Sequence, residues 1–541
     1  MLAMNTTAEK ERKAAAVESD PLVLPVSSED GANKRSFWSI YETFGHELMV
    51  LLFFTQHLLK GFCSVLITKS TPYMFKSYAV PAPAAQIYTS VAALPWALKP
   101  IIGLVSDLYP IGGYNKAPYV IMVSCLGSLA MAVSAFTPQS SLPLGWFVAC
   151  LFSVTLLIST ADLLSEAKYA ERMQTKPQHG PGLLSYVWFG ATFGGLVATL
   201  VSGPVIGHFG PRALLAAAAV PAAAVMWPVM QGYFKEKYVD SEALVAMRAR
   251  YWEQREACFL CFLMLACTLA IIVCSMISRE PLPNAIVAVV VGVVALVSSS
   301  ILLSPVVARA NAFALLQASL SWSIAGASFY FYTDSPRQYP DGPHFSPFFY
   351  NTVLGTIGSV LSLLGVCFYN RYMASWKYRS MIIFTNVLIA GFSLIDVMFF
   401  ARITKQYGIP DHAVVIGLSV FESIAQTWQW MPQVVILSYL CPRGMEATMY
   451  ALLAGCHNMG NNIALNCGAL LLHYLGCSPS GANGESEQFD NLWKASLVAA
   501  TLPFFSTLLT VRLLPDAQQD ERIDGVEGAT QGSLWRCWRD L

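Results

Sequence analysis

The stretch "PLGWFVACLFSVTLLISTADLLSEAKYAER", residues 143–172, decides the fold. From Pro143 to Ser159 it carries no charge, close to the run of about 20 apolar residues that crosses a bilayer as a helix. It then closes with Asp162 and Glu166, four apart and therefore on one helical face, where like charges repel. A helix built only for lipid has no use for that pair.

The rest of the chain repeats the apolar pattern. Of 541 residues, 55% are hydrophobic and 12% charged, against roughly 25% charged in soluble domains, and the mean hydropathy is +0.51. Fourteen runs have the length and composition of a span: 47–68, 84–105, 117–137, 144–165, 183–207, 211–231, 257–277 and 284–303 in the first part. The others are 311–332, 349–369, 379–401, 413–438, 448–473 and 493–513. No soluble core hides so many, so the chain is predicted to be an all-α polytopic membrane protein.

Charge placement gives the expected orientation. With both ends inside, and counting a residue at the very edge of a run with the loop it adjoins, 23 of the 33 Lys and Arg fall in cytoplasmic segments and eight in outside loops, and Lys60 and Lys99 lie deep within spans. The positive-inside rule favours that arrangement. Residues 1–36 are polar with no apolar leader segment, which reads as a disordered cytoplasmic tail. The final "LWRCWRDL" has the aromatic and basic residues of a membrane-surface segment. "CFLC" (Cys258, Cys261) has metal-like spacing but no partner pair, so it reads as packing; no metal or cofactor is expected. The zero net charge gives no reason to expect nucleic acid.

Internal symmetry sharpens the class. "GLVSDLYPIGGYNK" (103–116) sets Asp107 after Gly103 and puts Lys116 beyond it. It resembles the signature between helices 2 and 3 of the major facilitator superfamily, where a carboxylate and a cation latch the cytoplasmic side. A weaker echo, with Gly365, Asn370 and Arg371, follows the tenth run. Small residues recur at Gly190, Gly194, Ala198 and Ser202, and at Gly355, Gly358 and Gly365, a spacing that lets membrane helices approach closely. The resemblance implies two six-helix bundles, 47–231 and 311–514, with an inserted helix pair at 257–303. A central cytoplasmic loop at 232–256 and tails at 1–46 and 515–541 complete the plan.

Two stretches narrow the resemblance to the folate–biopterin transporter family. They are "AALPWALKPIIGLVSD", with Leu94, Pro95, Trp96, Lys99, Pro100, Gly103 and Asp107, and "CPRGMEATMYAL", with Cys441, Pro442, Gly444, Met445, Glu446, Ala447 and Thr448. The opening stretch also fits, through Ala161, Asp162, Glu166, Glu171 and Arg172. The likeness runs from about 47 to 514, and the two added helices look like the kinetoplastid-type branch of the family. It implies a secondary active transporter, not an enzyme, that imports folate, biopterin or a related pteridine across the plasma membrane by alternating access. S-Adenosylmethionine is the alternative substrate within the family, and a nutrient-sensing receptor the alternative use of the scaffold.

Candidate site residues follow from polarity in apolar surroundings. Lys60 lies mid-span and shares a face with Gln56. An ionised residue at that depth costs about 2.5–3.5 kcal/mol, which suits a cation facing an anionic substrate or an internal ion pair. His57 beside it is either hydrogen-bonded in the packing or a proton site. In "FESIAQTWQWMPQ", Glu422, Gln426 and Gln429 share one side, with Trp428 and Trp430 beside them. A carboxylate can pair with the amino edge of a pterin, as Glu pairs with cytosine N4, and tryptophans can stack on its faces. The twelve-helix members of the family lack an acid at Glu422. Asn458, Asn462 and Asn466 form a stripe that either lines the cavity or bonds between helices.

Coupling completes the expectation. An inside-negative potential opposes entry of an anion by about 2.3 kcal/mol per charge per 100 mV, so folate uptake calls for a co-transported cation, most simply protons. Asp162 and Glu166 are the pair to take one, since like charges a turn apart favour protonation of one member. They could exchange partners with Lys99 or Arg172, or serve as a wet latch without titration. Asp107, Lys116 and Glu446 join them as gating candidates. No HExxH, GxSxG or phosphate-binding loop argues for an enzyme.

Overall fold

The computed structural model describes residues 37–176, 179–440, 446–519 and 530–539, all in helices and connecting turns. The principal helices, in chain order, are α1 (His46–Ser77), α2 (Ala82–Leu108), α3 (Ala117–Phe136), α4 (Leu144–Met173), α5 (Gly182–Phe209) and α6 (Arg212–Met230). After the connecting helix α7 (Ser241–Glu253) come α8 (Arg255–Ile277) and α9 (Pro281–Leu302). Then follow α10 (Pro305–Ser319), α11 (Ala325–Thr333), α12 (Phe348–Tyr372), α13 (Tyr378–Phe400), α14 (Asp411–Tyr439), α15 (Glu446–Tyr474), α16 (Ser486–Leu513) and the short α17 (Leu534–Arg539).

Eleven of these are long and apolar enough to cross a membrane. The sequence predicts fourteen spans; the difference lies in α10–α11, α14 and α15. The last two have 29 residues each, about 43 Å at the helical rise, but carry polar stripes. The run 311–332 is not one helix, because it breaks after Ser319 and resumes at Ala325. The freed backbone is satisfied from outside. Buried Gln86 of α2 donates to Ser323 O (2.9 Å) and accepts from the Gly326 amide (3.0 Å). Gly468 of α15 packs so tightly here that a Cβ on it would stand 1.8 Å from the same carbonyl. Irregular backbone at membrane depth is tolerated only with such partners.

Ion pairs and hydrogen bonds sort the loops onto two faces. One, the terminal face, gathers the chain near both described ends. Lys235 pairs with Glu47 (2.8 Å), Arg536 with Glu256 (2.9 Å) and Lys377 with Asp516 (3.0 Å). Residues 37–46 are not the free tail predicted over 1–46. Phe37–Phe44 is a helix, and Ile40 packs with Leu48, Tyr169 and Leu183. The predicted tail over 1–36 lies outside the described residues. At the C-terminus Arg536 ties α17 to the start of α8.

Close helix packing follows the small residues. A Cβ on Gly61 would lie 2.5 Å from Ala191 O, and one on Gly194 2.4 Å from His57 O, so α1 and α5 touch backbone to backbone. Where they meet, residues 53–63 of α1 widen into π-type turns, a feature frequent at functional sites. The inserted helices α8 and α9 pack on each other and along α2 and α15.

Candidate functional site

Helices α1, α2 and α4 deliver one buried charge cluster. Asp162 is 1% exposed. Its Oδ1 accepts from Lys60 Nζ (2.7 Å) and Gln56 Nε2 (3.0 Å), and its Oδ2 from Lys99 Nζ (2.6 Å). Glu166, one turn on and more open, lies 3.3 Å from Lys99 and 3.9 Å from Lys60. Gln56 also donates to Ser165 Oγ (2.7 Å). Two cations and two anions make the cluster neutral, and each lysine also faces an indole, Trp188 for Lys60 and Trp96 for Lys99.

Local sequence explains how Lys99 gets there. "LPWALKP" makes a tight 3₁₀ turn at Leu94–Trp96 and restarts the helix with Pro100. Proline cannot donate to the carbonyl four residues back. Asn458 of α15 takes that Trp96 carbonyl instead, at 3.3 Å. The rest of the asparagine stripe also meets α2. Ser90 Oγ donates to Asn462 Oδ1 (2.9 Å) and accepts from Asn466 Nδ2 (2.9 Å). His57 sits in the α1–α5 contact with its Nε2 3.0 Å from Tyr186 O, its ring filling the space over Gly190.

At the terminal face the Asp107 carboxylate accepts from Tyr251 of α7 (2.6 Å), whose hydroxyl also meets Thr448 of α15 (3.1 Å). One phenol thus bridges α2 and α15. Burial, then the Asp107 charge, pushes that phenol well above its ordinary pKa, so it stays a donor. Lys116 makes no ion pair with Asp107 among the described residues. Its amide is instead held by Glu236 (2.7 Å), which caps α3. Arg172 likewise forms no ion pair among the described residues, and its carbonyl accepts from Thr175. The motif residues Cys441 to Met445 lie outside the described residues, as does the Glu446 side chain.

Glu422 and Gln426 are brought together on α14, 2.9 Å apart, on a different wall from the α1–α2–α4 cluster. A second carboxylate, Asp396 of α13, lies near enough for its charge and that of Glu422 to act on each other. The tryptophans point elsewhere. Trp428 donates to Gly365 O (2.9 Å) and packs on Phe368, and Trp430 lies against His457.

The face opposite the termini is closed by contacts the sequence did not announce. Lys76 Nζ meets Asp334 Oδ1 at 2.6 Å, with Asp334 fully buried. Tyr330 donates to Val80 O (2.6 Å), and Asn351 to the Tyr73 hydroxyl (2.8 Å). Each contact joins the first six helices to the last.

Known proteins agree with this architecture. Solved structures of similar fold include an auto-inhibited POT family peptide transporter (TM-score 0.60, 12% identity, covering 85% of this chain and 97% of that one). A D-xylose–proton symporter is also similar (TM-score 0.54, 12% identity, 90% and 99% covered). The molecule is thus an all-α, multi-pass protein of major facilitator-like fold. Related sequences include the probable folate-biopterin transporter 6 of Arabidopsis thaliana, 26% identical over 85% of this chain and 80% of that protein. The folate-biopterin transporter of Synechocystis is 26% identical over 78% and 72%, and folate transporter 2 of Plasmodium falciparum 22% identical over 84% and 86%. The BT1 family model matches residues 60–532. By its sequence and fold, the chain belongs to the BT1 family of folate–biopterin transporters.

Proposed function

We propose that this transporter imports folate or biopterin by proton symport and alternating access. The observation that carries the reading is Asp162, a buried carboxylate shared by lysines from two other helices. While both ammonium groups stand against it Asp162 stays charged, so a proton enters the cluster as a lysine leaves it, and that departure loosens α1 or α2 from α4. Protonation thereby becomes a change in helix contacts. The names of the relatives support pteridines as substrate class, and the electrical work against an anion supports a cation partner.

The topology we propose has fourteen spans in bundles 47–231 and 311–514, with the pair at 257–303 inserted as in the kinetoplastid-type branch. Both termini lie in the cytoplasm and the host is the plasma membrane. The terminal face is then the cytoplasmic one, and the Lys76–Asp334 contact closes the outer side. Lys60, Gln56, Glu422 and Gln426 face the substrate path, and Asp107 with Tyr251 forms the inner gate. The test is uptake into proteoliposomes with competing folate, biopterin and S-adenosylmethionine, with and without an inward proton gradient. Gradient-driven accumulation of folate or biopterin supports the reading. Uptake of S-adenosylmethionine alone, or binding without uptake, refutes it.

A further inference from the structure

Three lysines line α1, and among the described residues Lys69 alone of them lacks an ion-pair partner. Lys60 has Asp162 and Lys76 has Asp334. Among the described residues no carboxylate lies within ion-pair distance of Lys69 and no hydrogen bond holds its ammonium, although the side chain is half-buried with no charged group beside it. Lys69 stands eight residues inside the Ser77 end of α1, about 12 Å at the helical rise. A snorkelling lysine would run back toward that end. Instead its Nζ reaches the backbone of α12, 3.4 Å from where a Cβ on Gly355 would stand, and that same point lies 2.6 Å from the methyl of Thr199 on α5. The ammonium therefore projects across the seam between the first six helices and the last.

The opposite wall is polar at similar depth. Tyr73, one turn beyond Lys69, accepts from Asn351 (2.8 Å), and the Phe329 ring packs edge-on against both Tyr73 and Tyr350. Glu422 lies eleven residues into α14 from the same face, about 16 Å. A half-buried cation with no ion-pair partner has lost part of its hydration without gaining an opposite charge, so it favours an incoming anion. The Lys60–Lys99–Asp162–Glu166 cluster, being neutral, offers no such attraction.

We infer that Lys69 is the anion-binding residue of the transport path and takes a carboxylate of the substrate, the glutamate end of a folate, while Glu422 faces the amino edge of the ring. This rests on the pteridine reading above. The experiment is equilibrium binding of folate and biopterin to the full-length protein in lipid nanodiscs, with p-aminobenzoylglutamate, the anionic half of folate, as a competitor against folate. We expect Lys69→Gln to weaken folate at least tenfold and to abolish competition by p-aminobenzoylglutamate, with biopterin, which has no carboxylate, held within twofold. Lys69→Arg should recover part of the folate affinity, because it keeps the charge but changes its shape. Retained biopterin binding also shows that the variant is folded. Equal weakening of both ligands, or none for folate, overturns the role of Lys69 while leaving the pteridine reading intact. Wild-type protein that binds neither ligand overturns that reading itself.

Discussion

Replacing Asp162 with Asn imitates its protonated form and tests the coupling scheme directly. In the wild-type protein two ammonium groups stand 2.7 and 2.6 Å from its oxygens. At an effective dielectric of about 20, each contact is worth roughly 6 kcal/mol of gross attraction. Desolvation offsets much of this, and breaking a buried pair by removing one partner costs about 3–5 kcal/mol. After the substitution Lys60 and Lys99 share Glu166 alone, at 3.9 and 3.3 Å, and the cluster carries one excess positive charge. Adding Lys60→Gln restores neutrality by leaving a Lys99–Glu166 pair. The expected order of thermal stability in detergent is wild type, then the double variant, then Asp162→Asn, with a coupling of about 2 kcal/mol or more between the two sites. Neither variant should accumulate substrate under a proton gradient, yet the double variant should still exchange labelled substrate across a membrane. Should Asp162→Asn match the wild type in stability, or keep gradient-driven uptake, the shared carboxylate is not the coupling group.

Other outcomes probe separate parts. Tyr251→Phe removes the hydroxyl that joins Asp107 to Thr448; a hydrogen bond to a charged group is worth about 1.5–3 kcal/mol, so turnover should change roughly tenfold or more with little change in KM, and unchanged turnover would show that the bridge does not control the gate. Gly194→Ala drives a Cβ to 2.4 Å from a backbone oxygen of α1; we expect overpacking of about 1–3 kcal/mol and a lower Tm, whereas Gly391→Ala, which meets nothing within 4 Å, should leave it unchanged. If the two alanines behave alike, close α1–α5 contact is not what holds those helices. Epitope tags at both termini should be shielded in intact cells and the Asn5 sequon left unglycosylated; a single accessible tag would contradict the proposed even number of crossings.

What the sequence made legible is whatever a single helix contains. Charge-free runs gave the membrane class, and four-residue spacing correctly paired Gln56 with Lys60 and Glu422 with Gln426. What it hid depends on partners far along the chain. The break between α10 and α11 is stabilised by Gln86, 237 residues from the carbonyl it holds. Tyr251 looks like part of a soluble loop until α7 folds it back onto α2. Lys69 was hidden by a boundary. Apolarity fades after residue 68, but the helix continues to Ser77 because Tyr73, Lys76 and the broken α11 give its polar residues partners.

The acidic pair at the end of the charge-free run shows the same limit from the other side. Alone, Asp162 and Glu166 read as a repulsion that a helix must tolerate. In the fold, the π-type turns of α1 and the proline-set bend of α2 bring lysines from 102 and 63 residues away to Asp162. The repulsion becomes half of a neutral quartet, held so that adding one proton unbalances it. That imbalance falls on the contacts joining α1 and α2 to α4, and the Trp96 carbonyl held by Asn458 links α2 onward to α15. A charge change at Asp162 is therefore placed to reach the seam between the first six helices and the last through a continuous set of bonded residues.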